Sequence, residues 1–212
     1  MPNILFASNS VSHFPGSVIG ALDWSYDSNR VPYSIMCPLK TPVGSPDIPD
    51  SATDEWWFHF RCGSTEWYIN NNEPIFEIAD TNGDRIYLLS FHDRSSEGFH
   101  SYLMVDETQH FSLRYLPMAD YQARTYDIQL KFTALNVELR VYMNEILIDT
   151  FVVPVTSWVR PGRFFIGGSV GSRGEGETYY SEIIVADGDT RNARLDLLRP
   201  AAVGAYGNWN GL

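Results

Sequence analysis

Paired carboxylates are the first residues in this chain that could do chemistry. Glycoside hydrolysis needs two of them, about 5–9 Å apart across the sugar bond. Glu77-Ile78-Ala79-Asp80 begins such an arrangement, but no second glutamate follows at an interval that would share its face. Glu175-Gly176-Glu177 brings two glutamates together in a glycine-rich loop without rigid support. A jelly-roll glycanase is therefore the weakest functional reading, and no catalytic residue is assigned. Asp80-Thr81-Asn82-Gly83-Asp84 has the look of a calcium loop. An EF-hand needs glycine at its sixth position and glutamate at its twelfth, and those places hold Arg85 and Phe91. The segment reads as a hairpin turn. His13, His59, His92, His100 and His110 are scattered, with no pair at zinc-ligand spacing. Cys37 and Cys62 have no base beside them in sequence and read as buried thiols acting as small hydrophobes. Each lies in a β-like run, which leaves open that they are neighbours across a sheet. No metal or cofactor is expected.

The aromatic residues are more informative. In Glu55-Trp56-Trp57-Phe58-His59-Phe60 a strand places Trp56, Phe58 and Phe60 on one face and Trp57 and His59 on the other. One set must be core. The second has two readings: an outward pair beside Arg61 that stacks on a sugar ring or a partner protein, or packing on a second covered face. The loop Gly171-Ser172-Arg173-Gly174-Glu175-Gly176-Glu177 offers Arg173, Glu175 and Glu177 as contacts, or is a bare hairpin.

Strands must position all of these groups, because the chain alternates at period two and almost never at 3.6. Ile128, Leu130 and Phe132 alternate with Asp127, Gln129 and Lys131. Val137–Met143 repeats the pattern, and Ile146–Val152 follows after Asn144-Glu145, the spacing of a tight hairpin. A second hairpin is expected at Asn82-Gly83, between Ile75–Ile78 and Ile86–Leu89. Further strands are expected at Asn3–Ser8, Val31–Cys37, Glu55–Cys62, His100–Val105, His110–Tyr115, Arg163–Gly168 and Thr178–Ala186. About a dozen short strands with one polar face each imply an all-β fold, two antiparallel sheets packed as a β-sandwich. Pro38–Ala52 carries four prolines and is expected to be an extended surface crossover. After Ala186 the pattern stops, and a tail with Tyr206 and Trp209 but no period is expected to lie along the sandwich or enter a partner.

Composition agrees. The 212 residues are 44% hydrophobic and 19% charged, which describes a folded globule rather than a disordered chain. A net charge of −11 argues against a nucleic-acid binder, whose footprint is a basic excess. Only Lys40 and Lys131 of the 15 cations are lysines, and an arginine bias suits protein interfaces. No apolar run approaches the ~20 residues of a membrane helix. The start, Met1–Phe6, lacks the basic region of a signal peptide.

The order of the pieces resembles a known family. Asp54–Phe60 (Asp-Glu-Trp-Trp-Phe-His-Phe) is followed by Phe76–Asp80 with its Asn-Gly turn, then by the Tyr126–Phe132 and Val137–Met143 strands. The chain closes with Ser181-Glu182-Ile183-Ile184-Val185-Ala186-Asp187, Asp189-Thr190-Arg191, Arg199-Pro200, Gly204 and Trp209-Asn210-Gly211. This resembles tailed-bacteriophage virion proteins with a concanavalin A-like, laminin G-like jelly roll. The resemblance covers most of the chain and is most specific in the closing segments. It implies a jelly-roll domain over 1–186 and a docking segment over 187–212. It also implies a structural, non-enzymatic role in a tail fibre, tail tip or capsid decoration, on the exterior of a virion assembled in the host cytoplasm. Partners would be other virion proteins and sister copies, with trimers as a fold-level analogy. Arg191, Arg194, Arg199, Tyr206 and Trp209 would carry the docking. Host-surface polysaccharide is the alternative ligand. Two departures stand out: proteins of this kind often run on past the Trp-x-Gly segment, and the calcium-ordered loops of the lectin members have no counterpart here.

Overall fold

The structure, a computed structural model, describes residues 3–8, 11–14, 18–20, 34–37, 42–64, 73–92, 98–105, 108–115, 124–167, 178–189 and 191. Within them a 3₁₀ turn at Val11–His13 accompanies fourteen strands. In chain order these are β1 (Ile4–Ser8), β2 (Val18–Gly20), β3 (Ser34–Cys37), β4 (Val43–Gly44), β5 (Glu55–Ser64), β6 (Glu73–Ala79) and β7 (Arg85–His92). They continue with β8 (Gly98–Val105), β9 (Thr108–Tyr115), β10 (Arg124–Phe132), β11 (Asn136–Met143), β12 (Ile146–Pro154), β13 (Arg163–Ile166) and β14 (Thr178–Ala186).

They form two antiparallel sheets. The larger has the order β12-β11-β10-β5-β14-β3-β2, with β1 also paired to β14; the smaller has the order β4-β13-β6-β7-β8-β9. One edge of β14 carries β5, and the other is shared by β3, opposite Thr178–Tyr180, and β1, opposite Ile183–Ala186. The expected sandwich is present, and the period-two residues form its core. Trp56, Phe58 and Phe60 of β5 face inward in register with Leu130, Ile128 and Tyr126 of β10. Phe60 stacks on Phe76 of the opposite sheet at 4.5 Å, and Phe76 on Phe164 at 5.4 Å. Such pairs contribute about 0.5–1.5 kcal/mol each beyond their buried area. One hydroxyl also ties the sheets: Tyr180 of β14 donates to the Ile75 carbonyl of β6 and accepts from the Gly167 amide after β13, at 3.0 Å.

Two expectations change. The Pro38–Ala52 crossover is more than a surface strap. Val43-Gly44 adds an edge strand to β13, while Val43, Ile48 and Ser51 are buried. Its prolines sit beside that two-residue strand rather than within it, so no ladder donor is lost there. Cys37 and Cys62 are not cross-strand neighbours, because β14 runs between their strands, with Thr178 opposite Cys37 and Tyr180 opposite Cys62. Both thiols are buried and neither is in a disulfide.

Candidate functional site

Residues on the outer face of the larger sheet follow from the register. Around β10, Asp127 lies between His59 and Tyr142, Gln129 between Trp57 and Arg140, and Lys131 between Glu55 and Glu138. The Glu55 carboxylate accepts from the Trp57 indole N–H and from the Gln129 amide at 2.8 Å. The Gln129 carbonyl in turn accepts from the Arg140 guanidinium at 3.1 Å. His59 Nδ1 and Asp127 Oδ1 pair at 2.8 Å, both side chains 1% exposed. The result is a comb of carboxylate, amide and guanidinium whose members hold one another in place. A part-buried network of this kind restrains side-chain orientation, with Arg140 at its exposed end.

Trp57 and His59 are therefore placed on the face that alternation assigned them, but not in the open. Trp57 is 2% exposed. Tyr142 stacks against it at 6.0 Å, and the Arg191 guanidinium lies 4.8 Å from its ring and 3.9 Å from that of Tyr142. Of the two readings of this face, the covered one holds, because a large aromatic surface gains more from packing and a cation–π contact than from water. The stacking position a sugar would need over Trp57 is taken by groups of the chain itself.

Arg191 reaches this position from the segment that follows β14. Asp189 accepts from its guanidinium at 2.7 and 3.0 Å and from its backbone amide at 2.9 Å. These hydrogen bonds hold the guanidinium pKa above its ordinary value. The start of the segment is fixed by Asp187, whose carboxylate accepts from the Asn3 amide at 2.6 Å and the Asn3 side chain at 2.8 Å. Arg191 thus serves the sandwich, and as placed here it is not a free docking group. Arg194, Arg199, Tyr206 and Trp209 lie outside the described residues, as do Arg173, Glu175 and Glu177.

The Asp80 turn is a hairpin, as its spacing implies. Asp80 Oδ1 accepts from the Asn82 and Asp84 amides, each at 2.8 Å, so its carboxylate serves the turn. No group of three or more potential metal ligands occurs among the described residues. Glu77 is paired with Arg85 at 2.8 Å. The sequence reading missed Glu55, Asp127, Gln129, Arg140 and Tyr142 as members of one face. Their alternation was visible, but the pairing of β10 with β5 spans a separation with no local signal.

No family model matches the chain, and none of the curated proteins does. Solved structures do. The chain is similar to the CBM2 module of the evolved Dit of Lactobacillus casei BL23 phage J-1, at 12% identity and a TM-score of 0.54, over 89% of this chain and 97% of that one. It is similar to the alginate lyase Aly36B at 10% identity and a TM-score of 0.55, over 78% and 86%. It is also similar to the receptor binding domain of botulinum neurotoxin D at 8% identity and a TM-score of 0.55, over 86% of this chain and 47% of that one. Identities this low establish architecture alone. The chain has the concanavalin A-like jelly-roll fold.

Proposed function

We propose that this chain is a non-enzymatic jelly-roll module on the exterior of a tailed-bacteriophage particle, docked on other particle proteins. The supporting observation is the similarity to the phage Dit module, which extends over nearly the whole of both chains. The arginine-rich composition suits such contacts. In this reading Arg194, Arg199, Tyr206 and Trp209 contact neighbouring subunits, while Arg191 anchors the segment to its own sheet. Sister copies, three in the simplest arrangement, are among the neighbours. Deleting residues 201–212 is expected to abolish incorporation into particles, read by mass spectrometry of purified virions. Normal incorporation of the truncated chain would overturn the assignment.

The second reading is recognition of a host-surface glycan. It is favoured by the Glu55–Gln129–Arg140 comb, since Arg140 is 43% exposed at the open end of a preset row of donors and acceptors. Arg140→Ala is the suitable control on a glycan array, because truncating buried Trp57 would unsettle the fold. Equal signals from the two proteins, or none, would remove this reading.

A further inference from the structure

A cleft of about 630 Å³ opens between the β6–β7 turn and the chain that joins β12 to β13. That volume lies within the range of formed ligand sites. Its apolar interior is made by Ile86, Val105, Phe132 and Val137, each buried in the core. Trp158 forms a wall, stacked on Phe132 at 4.3 Å with Arg160 over its ring at 5.7 Å. The rim carries Asp84 from the β6–β7 turn, Arg85 from the start of β7, and Ser157 and Val159 from the chain between β12 and β13. Val159 is 58% exposed, high for an apolar side chain at the mouth of an apolar cleft.

Charge selects the occupant. Arg85 and Arg160 are already neutralised: Arg85 by Glu77 at 2.8 Å, and Arg160 by Asp50 at 2.8 Å and Asp54 at 3.2 Å. Asp80 is anionic but committed to its turn amides. The Asp84 carboxylate, exposed at the rim, has no side-chain hydrogen bond or ion pair among the described residues. The mouth is therefore net negative with one carboxylate to spare, above an apolar floor. With the indole ring engaged by Phe132 and Arg160, the cleft suits an inserted apolar side chain better than a stacked sugar.

We propose that this cleft binds a peptide segment of a partner protein in which an apolar side chain is followed by lysine or arginine. The apolar side chain enters between Trp158 and Val105, and the cation meets Asp84. Apolar contact supplies the affinity and the carboxylate the selectivity, as opposite charges at an interface rim do. The proposal does not depend on a phage particle, and its failure would leave that role untouched.

The test is a titration of the full isotope-labelled chain, followed by amide and indole NMR shifts, with acetyl-phenylalanyl-lysine amide, its glutamate analogue and acetyl-glycyl-lysine amide. The phenylalanyl-lysine probe is expected to move the Trp158, Val159 and Val105 signals and to bind about three- to fivefold more tightly than the glutamate analogue. Asp84→Asn should erase that preference, and Val159→Arg, at an exposed position, should abolish binding with the remaining spectrum unchanged. Absence of binding by the lysine probe would overturn the proposal. So would equal binding of the glutamate analogue, shifts mapping elsewhere, or a neutral oligosaccharide moving the same signals.

Discussion

Cys62 illustrates how much a single side chain's environment decides. In sequence it is a thiol beside Arg61; in the fold it lies at 1% exposure opposite Tyr180. Burial pushes its pKa up from 9.0 to about 12, and burial also raises that of Cys37. The folded state thus holds these protons more tightly than the unfolded chain does. Their contribution to stability is fully present below about pH 9 and is lost as pH rises toward the folded value. Urea midpoints are expected to fall between about pH 9 and pH 11, and Cys62→Ala should flatten that slope. An unchanged alkaline slope in the variant would show that the thiol is not the titrating group. Trp57 carries the companion lesson. Alternation gave its face, but Tyr142 and Arg191, which cover it, are 85 and 134 residues away in sequence.

Among the elements, hairpins were the most legible, because each strand and its partner are joined by a turn whose residues have a local reason. Asn144 and Glu145 both adopt positive φ, of 48° and 70°, between β11 and β12, and Gly83 sits at 93° in the Asp80 turn. The same turn is also held from outside. A Cβ at Gly162 would lie 2.5 Å from the Thr81 backbone nitrogen, whereas one at Gly83 meets nothing within 4 Å. Gly83→Ala should therefore cost about 1 kcal/mol, through backbone strain alone. Gly162→Ala should cost about 2 kcal/mol or more, because backbone must move. Thermal melts are expected to rank the two in that order, with the larger loss lowering Tm by several degrees. The opposite order would mean that the turn yields more easily than its strain does. Sequence pattern flagged Gly83 through its Asn-Gly pair, while Gly162 lies in a stretch without periodicity, as does Trp158.

At the scale of the molecule, the ends of the described chain meet. Asn3 and Asp187 share three hydrogen bonds, and β14 is paired on both edges before Asp187 is reached. The sandwich is closed at that point, so the deletion of 201–212 should keep the melting transition of the full chain while losing assembly. A large fall in Tm would instead make those residues part of the folding unit. Sequence alone determined that this protein is an antiparallel β-sandwich with an aromatic core, because period-two alternation and turn chemistry are local and a one-residue slip would turn every core side chain to water. Tertiary structure alone decided that β5 lies between β10 and β14, that the Trp57 face is covered, and that an apolar cleft with a spare carboxylate opens beside Trp158. Those outcomes depend on pairings between residues far apart in the chain, and such pairings leave no mark on the segments that make them.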